Sequence, residues 1–132
     1  MKLVSFNVNG IRASVKKGLA DSLHAMDADI ICFQETKASP EQVAEALADV
    51  KGYHLSAYSA EKAGYSGTAI LSREEPVRID HGIGGDEHNM EGRVITATFA
   101  GHSVVNAYIP NSGQDLKRLD YRQQWDKAFR EY

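Results

Sequence analysis

The 132 residues are enough for one compact domain, and the composition, 42% hydrophobic and 25% charged, is typical of a soluble protein. The net charge of −3 argues against a protein that coats nucleic acid in bulk, but it is compatible with an enzyme that holds a divalent cation with carboxylates. Because no apolar run approaches the ~20 residues that span a bilayer and Cys32 is the only cysteine, we expect a cytoplasmic protein with no disulfide and no membrane partner.

The first part of the chain alternates between strand and helix patterns. A short β-rich segment is followed by apolar residues at helical spacing, and Gly18 is expected to weaken that helix. The next strand is apolar without alternation, which is typical of a parallel strand covered on both faces. Ser39, Pro40 and Gln42 then predict a helix that starts with a capping box. The predicted elements are strands 2–8 and 29–34 and helices 11–26 and 40–48.

The remainder of the chain is rich in β-branched and aromatic residues and returns to helix at its end. The helix 116–132 carries an apolar stripe, including Trp125, Phe129 and Tyr132, that reaches the last residue, so we expect the chain to be part of a larger fold. A glycine-rich loop spans residues 81–92. These patterns predict an α/β domain with a mixed sheet and flanking helices. The predicted strands of this part are 53–59, 68–72, 77–80, 94–99 and 103–109.

Two polar side chains follow neighbouring predicted strands. Glu35 comes directly after the strand Ile30–Gln34, and Asn7 occupies the matching place on the first strand. The carboxyl ends of strands are where α/β proteins usually place their functional side chains. An amide oxygen and a carboxylate could together hold a hard cation such as Mg²⁺. The alternative is that Glu35 only forms a salt bridge with Lys37, and the spacing alone favours that interpretation.

A second candidate site lies where the last predicted strand passes into a loop. Tyr108, Asn111 and Ser112 could all donate hydrogen bonds to a phosphate there, although a structural turn explains the same residues. None of the five histidines has metal-ligand spacing. Basic residues form two clusters, which serve either as a phosphate track or as solvated helix faces: Arg12, Lys16 and Lys17, and then Lys117, Arg118 and Arg122.

Short motifs recur along the whole chain: 5–13 (SFNVNGIRA), 34–37 (QETK), 64–67 (GYSG), 91–93 (EGR), 108–111 (YIPN) and 118–126 (RLDYRQQWD). In this order they resemble the motifs of the exonuclease III-like apurinic/apyrimidinic (AP) endonucleases, a branch of the endonuclease/exonuclease/phosphatase superfamily.

The resemblance implies a Mg²⁺-dependent site, with Mn²⁺ as a possible substitute. Glu35 would be the metal ligand, and Asn7 would support it or join it. Tyr108 would contact the scissile phosphate and complete the catalytic set with these two residues. The implied contacts to DNA phosphates are Asn111, Lys37, Arg12, Lys117 and Arg118.

The fold implied by the resemblance is a four-layered α/β/β/α sandwich, of which this chain would supply one half, a mixed sheet with flanking helices. The second half of such proteins carries a Gly-Asp-x-Asn motif and a Ser-Asp-His motif, which activate water and assist the leaving group. Neither motif occurs here. Residues 1–132 are therefore interpreted as the N-terminal half of a DNA-repair nuclease that cleaves at abasic sites and trims 3′ ends. We expect this half alone to bind metal weakly and to be inactive.

Two alternatives stay open at this point. The first is a non-catalytic half-domain that forms a homodimer through the inner face of its sheet, because a second sheet is expected to be missing there and the stripe of α-helix 116–132 could join the contact. The second is another superfamily member, such as an inositol phosphatase, a sphingomyelinase or a DNase-like nuclease. A complementing C-terminal half and DNA with abasic sites are the partners implied for the complete protein.

Overall fold

Seven strands form two sheets in the computed structural model, which describes residues 1–132. The strands are β1 (Leu3–Asn7), β2 (Ile30–Gln34), β3 (His54–Tyr58), β4 (Thr68–Ser72), β5 (Arg78–His81), β6 (Val94–Thr98) and β7 (Ser103–Ala107). The first sheet has the order β1-β2-β4-β3 and the second has the order β5-β6-β7. Only β1 and β2 run parallel, and all other pairs are antiparallel, so the prediction of an α/β domain with a mixed sheet is confirmed.

Four α-helices flank these sheets: α1 (Ile11–Lys16), α2 (Leu19–Met26), α3 (Pro40–Ala46) and α4 (Leu119–Glu131). The single helix predicted over 11–26 is divided, because Gly18 adopts a left-handed conformation with φ of 94° between α1 and α2. The capping box of α3 is confirmed, since the Ser39 hydroxyl accepts from the Gln42 backbone N–H and the Gln42 side chain accepts from the Ser39 N–H. None of these helices is long and apolar enough to cross a bilayer.

The alternating side chains of β2 enter two different cores. Ile31 and Phe33 pack with buried residues of α1, α2 and α3, whereas Ile30 and Cys32 point to the other face of the sheet. The prediction that this strand is covered on both faces is therefore confirmed. Across the second face, Ile30, Cys32 and Ile70 pack against Ile95 and Ala97 of the second sheet and against Phe99, which follows β6.

The vacant inner sheet face expected from the sequence is not present. Strands β5, β6 and β7 form a second sheet, which packs on the inner face of the first sheet and covers it within the same chain. The expectation was wrong because a buried strand has the same residue pattern whichever sheet it joins. Self-association stays a prediction, but the apolar surface proposed for a homodimer is already occupied.

The stripe of α4 is covered within the chain at Trp125 and in part at Phe129. Trp125 is 0% exposed and packs with Ile83 and Val94 on the outer face of the second sheet. Tyr132 is half exposed, and its hydroxyl lies 2.8 Å from the Thr96 hydroxyl. The chain thus contains four layers in the order helices, sheet, sheet, helix: α1–α3, the first sheet, the second sheet and α4.

Candidate active site

The two sheets bring one set of strand ends together. Asn7 and Gln34 are register partners at the carboxyl ends of β1 and β2, and Thr68 pairs with Gln34 at the start of β4. The Thr68 hydroxyl donates to the carbonyl of Gly92, which precedes β6, at 3.0 Å. This contact places the amino end of β6 and the carboxyl end of β7 beside the predicted site, because Val94 pairs with Ala107.

Glu35 is the centre of this edge. Its Oε2 accepts a hydrogen bond from the Asn7 amide at 2.8 Å, and its Oε1 lies 3.2 Å from the Lys37 ammonium. The same ammonium donates to the Asn9 side-chain oxygen at 2.8 Å. Burial by itself would raise the pKa of Glu35, but hydrogen bonds from Asn7 and Lys37, the positive charge of Lys37 and the phenol of Tyr108 outweigh it and hold that pKa below its ordinary value. Glu35 is therefore a carboxylate at neutral pH.

The loop that carries Glu35 is held in an uncommon backbone conformation. Glu35 and Lys37 have φ values of 61° and 51°, in the left-handed region of backbone conformation that residues other than glycine rarely adopt. Backbone hydrogen bonds from Thr36 to Gly67 and from Lys37 to Ser66 fasten the loop to the turn before β4. A side chain at Gly67 would collide with Thr36, so this turn requires glycine. Strain that the surroundings enforce in this way is a mark of functional loops.

The depressed pKa of Glu35 leads to a prediction about acid stability. A carboxylate whose pKa is lowered by folding stabilises the native state above its unfolded pKa of about 4.3, and this contribution is lost as pH falls through the lower folded value. We expect Glu35→Gln to reduce the steepness with which the free energy of unfolding falls below about pH 5. Urea unfolding between neutral pH and about pH 3 measures this slope. Glu45→Gln, an exposed carboxylate on α3 without an ion pair, is the matched control; an equal change in both variants contradicts the prediction.

Tyr108 follows β7 and faces the same carboxylate. It interacts with Glu35, although no hydrogen bond of standard geometry joins the two side chains. Burial and then the negative charge of Glu35 raise the pKa of the Tyr108 phenol, while the nearby Arg93 opposes this effect. The phenol therefore stays protonated at neutral pH and can donate a hydrogen bond to an oxygen placed beside Glu35.

The residues present fit a hard cation only in part. Glu35 offers carboxylate oxygens, the ligand type that Mg²⁺ takes with several waters. Asn7 turns its amide nitrogen toward Glu35, and its amide oxygen accepts from the Asn9 N–H at 2.8 Å, so its oxygen is already engaged. Residues 1–132 contain no group of three or more His, Cys, Asp or Glu side chains placed so that they could together hold a metal ion.

Asn106 is a site residue that sequence reasoning did not single out. It is 2% exposed, and its amide donates to the backbone carbonyls of Phe33 and Ala69, both at 2.9 Å. Its oxygen accepts from Gln34, which also donates to the Ser5 hydroxyl. The side chain of Asn106 in β7 thus ties the second sheet to β2, the strand that precedes Glu35. An asparagine within a β-branched strand was the only available signal, because asparagine is depleted in strands.

The predicted phosphate contacts separate into two groups. Arg12 donates to the Lys37 carbonyl at 3.1 Å, and Arg12, Lys16 and Lys37 line one shallow groove beside the site. On the other side, Asn111 folds into a turn through its own side chain, which accepts from the Gly113 N–H at 2.8 Å. Lys117 is exposed before α4 and makes no ion pair.

Arg118, another predicted phosphate contact, is engaged by side chains of the protein itself. It binds Glu91 at 2.9 Å and the Tyr65 hydroxyl at 3.0 Å. Its guanidinium also lies over the Tyr121 ring. The structure thus places Arg118 in a network within the protein.

The structure is thus a two-sheet α/β sandwich whose strand ends bring together an ionised carboxylate, a lysine and a protonated phenol. The chain belongs to the Endonuclease/Exonuclease/phosphatase family, whose model matches residues 4–132.

Relatives of known structure or curated function agree with this assignment. The chain is 48% identical to an exodeoxyribonuclease of Bacillus subtilis, covering 100% of this chain and 52% of that protein. It is 46% identical to the DNA repair nuclease APEX1 of Danio rerio, of which it covers 43%. The structure of an AP endonuclease from Archaeoglobus fulgidus superimposes with a TM-score of 0.88 at 33% identity, over 100% of this chain and 50% of that one. The resemblance to exonuclease III-like AP endonucleases is confirmed, and the chain spans about half the length of these relatives.

Proposed function

We propose that this chain supplies the metal-holding and phosphate-contacting half of a Mg²⁺-dependent DNA-repair nuclease that cleaves beside abasic sites and removes nucleotides from 3′ ends. The observation that carries the proposal is the arrangement of Asn7, Lys37 and Tyr108 around the Glu35 carboxylate. DNA is favoured over a phosphoinositide or a phospholipid because the similar relatives named above are DNA nucleases.

In this proposal each side chain has a separate task. Glu35 would hold a Mg²⁺ or Mn²⁺ ion, which when bound would supply charge neutralisation at the phosphate and the leaving oxygen. Asn7 supports the ligand by orienting its carboxylate, rather than coordinating the metal, because its own oxygen is engaged by Asn9. Tyr108 donates a hydrogen bond to a phosphate oxygen, and Lys37 balances the charge of Glu35.

Weak metal binding tests this assignment directly. One protein carboxylate leaves most of the coordination shell to water, and the Lys37 ammonium competes for Oε1, so we expect Mn²⁺ to bind with a dissociation constant on the order of a millimolar. Calorimetric or paramagnetic titration of the wild-type chain and of Glu35→Gln measures the Mn²⁺ dissociation constant. We expect Glu35→Gln to abolish the binding, with Glu45→Gln as the matched control. Tight binding that survives Glu35→Gln would place the metal elsewhere and overturn the proposal.

DNA binding by the chain is expected to depend on salt and not on sequence. Contacts from Arg12 and Lys16 in the groove beside Glu35 reach phosphates, which position a duplex without reading its bases. Replacing either residue with glutamine should reduce the slope of log affinity against log salt concentration by roughly 1. Fluorescence anisotropy at several salt concentrations measures the slope. Arg78→Gln, at the opposite end of the second sheet, is the control; preference for one duplex over a scrambled one would contradict the proposed contacts.

Of the four edge strands β1, β3, β5 and β7, the two whose carboxyl ends lie at the site, β1 and β7, form the surface for the proposed complementing half. Strand β1 pairs only with β2, and β7 pairs only with β6, so both have an unpaired edge. Exposed apolar side chains accompany these edges: Leu3 is 46% exposed, Val105 46% and Ile109 38%. A polypeptide that extends both sheets here would cover them and would bring further groups to Asn7 and Tyr108, which lie at the ends of the same strands.

A further inference from the structure

Behind Tyr108 lies a hydrogen-bonded ring of four side chains, and only Arg118 among them has a role in the metal and phosphate assignments, as a predicted phosphate contact. Arg93 and Arg118 share the two oxygens of Glu91, at 2.6 and 2.9 Å, and both donate to the Tyr65 hydroxyl at 3.0 Å. The ring joins the turn before β4, the loop before β6 and the start of α4. Its two guanidinium charges face one carboxylate, so it carries a net positive charge.

Arg93 is the member of the ring that reaches the site. It is only 3% exposed, and its Nε, Nη1 and Nη2 donate to Glu91, to the Tyr108 carbonyl at 3.1 Å and to Tyr65. Its guanidinium carbon lies 5.0 Å from the centre of the Tyr108 ring. The Tyr108 N–H donates to the Arg93 carbonyl at 2.7 Å. Arg93 thus holds both the backbone and the ring of Tyr108.

We infer that Arg93 is a positioning residue, which fixes the Tyr108 ring beside the Glu35 carboxylate. A planar guanidinium can satisfy Glu91, Tyr65 and the Tyr108 carbonyl at once while its face covers the ring, whereas an ammonium ion has no such face and no fixed fork. Glu91 keeps the buried charge of Arg93 compensated, and Arg118 holds Glu91 from the side of α4. In this way the start of α4 is coupled to the phenol at the site. The inference rests on the proposed function for the role of Tyr108, but not for the contacts themselves.

The test compares Arg93→Lys and Arg93→Gln with Arg78→Lys, an arginine at the far end of the same sheet that pairs with Asp80. In a chain with ¹³C-labelled tyrosines, Tyr108→Phe assigns the Tyr108 ring signals. In the wild type we expect the chemical shifts of the Tyr108 ring to differ from those of an exposed tyrosine, because the ring is held in one orientation. In Arg93→Lys the Tyr108 chemical shifts should move toward the values of an exposed tyrosine while the protein stays folded. Glu91→Gln should shift them in the same direction by less, which supplies a second variant if Arg93→Gln does not fold.

Substoichiometric Mn²⁺ then reports on the distance from Tyr108 to the metal. The wild-type Tyr108 signals should broaden selectively, and in Arg93→Lys the broadening should fall several-fold at an unchanged Mn²⁺ affinity. If Arg93→Lys only lowers the melting temperature and leaves the ring signals in place, Arg93 is a structural residue and the inference is overturned. If Mn²⁺ has no effect on the wild type, the proposed metal assignment fails, and the metal-free ring signals still decide the role of Arg93.

Discussion

The 132-residue chain alone is expected to cleave abasic-site DNA no faster than about a thousandth of the rate of a full-length relative. In the proposed function Glu35, Asn7 and Tyr108 hold a metal and a phosphate, but the Gly-Asp-x-Asn and Ser-Asp-His motifs that the family resemblance assigns to water activation do not occur in these residues. Catalytic groups that act as a unit lose most of their effect together when one part is missing, so partial activity is not expected.

The measurement is a single-turnover assay with Mg²⁺ and a duplex that contains one abasic site, in which the Bacillus subtilis exodeoxyribonuclease serves as the positive control. Adding the second half of that relative as a separate chain should produce cleavage. Glu35→Gln should then reduce it on the order of a hundredfold or more, since even indirect supports of metal ligands contribute up to that factor. Efficient turnover by the chain alone that disappears in Glu35→Gln would show that these residues contain a complete active site.

Trp125→Ala is expected to lower the free energy of unfolding by about 3–5 kcal/mol or to detach α4 from the second sheet. Trp125 is the largest fully buried side chain, and it joins α4 to Ile83 and Val94. Because the stability of a domain is only about 5–15 kcal/mol in total, the loss of this contact is a large fraction of it.

Urea unfolding, followed by far-ultraviolet circular dichroism, measures this loss. The matched control is Trp125→Phe, which should cost far less, because the indole N–H of Trp125 has no hydrogen-bond partner and Phe129 stacks on the ring face at 5.0 Å between centroids. If Trp125→Ala changes the unfolding free energy by less than about 1 kcal/mol, the contact is not the anchor of α4.

Local patterns predicted the secondary structure closely. The seven predicted strands agree with the observed ones to within a few residues, because β-branched runs and glycine turns act over neighbouring residues. The capping box of α3 depends on three residues and is present as predicted. The last helix was predicted to start at 116, which is too early, because Asp115 and Leu116 have left-handed backbone conformations in the turn before Leu119. The residue types in this segment do not predict such a turn.

The candidate site was predicted in part. Glu35, Lys37 and Asn7 follow strand ends, and the structure brings them into contact as expected from parallel neighbouring strands. Asn106 and Arg93 were not assigned a role, because their partners lie in segments distant along the chain: Asn106 bonds to Phe33 and Arg93 to Tyr65. A hydrogen bond between segments that are distant along the chain produces no periodic residue pattern in either segment, so the sequence does not predict it.

The residue order of this protein by itself determined its strands, the approximate positions of its helical segments, its family motifs and the edge at which Glu35 and Asn7 meet. Only the tertiary structure decided that strands β5–β7 form a separate sheet and cover the inner face that otherwise would have required a second copy. The physical reason is that apolar strands such as Val94–Thr98 bury equally well in either sheet as far as their own residues are concerned. The choice depends on which pairing also satisfies Asn106 and packs Ile95 against Ile30, and these are interactions between residues far apart in the chain.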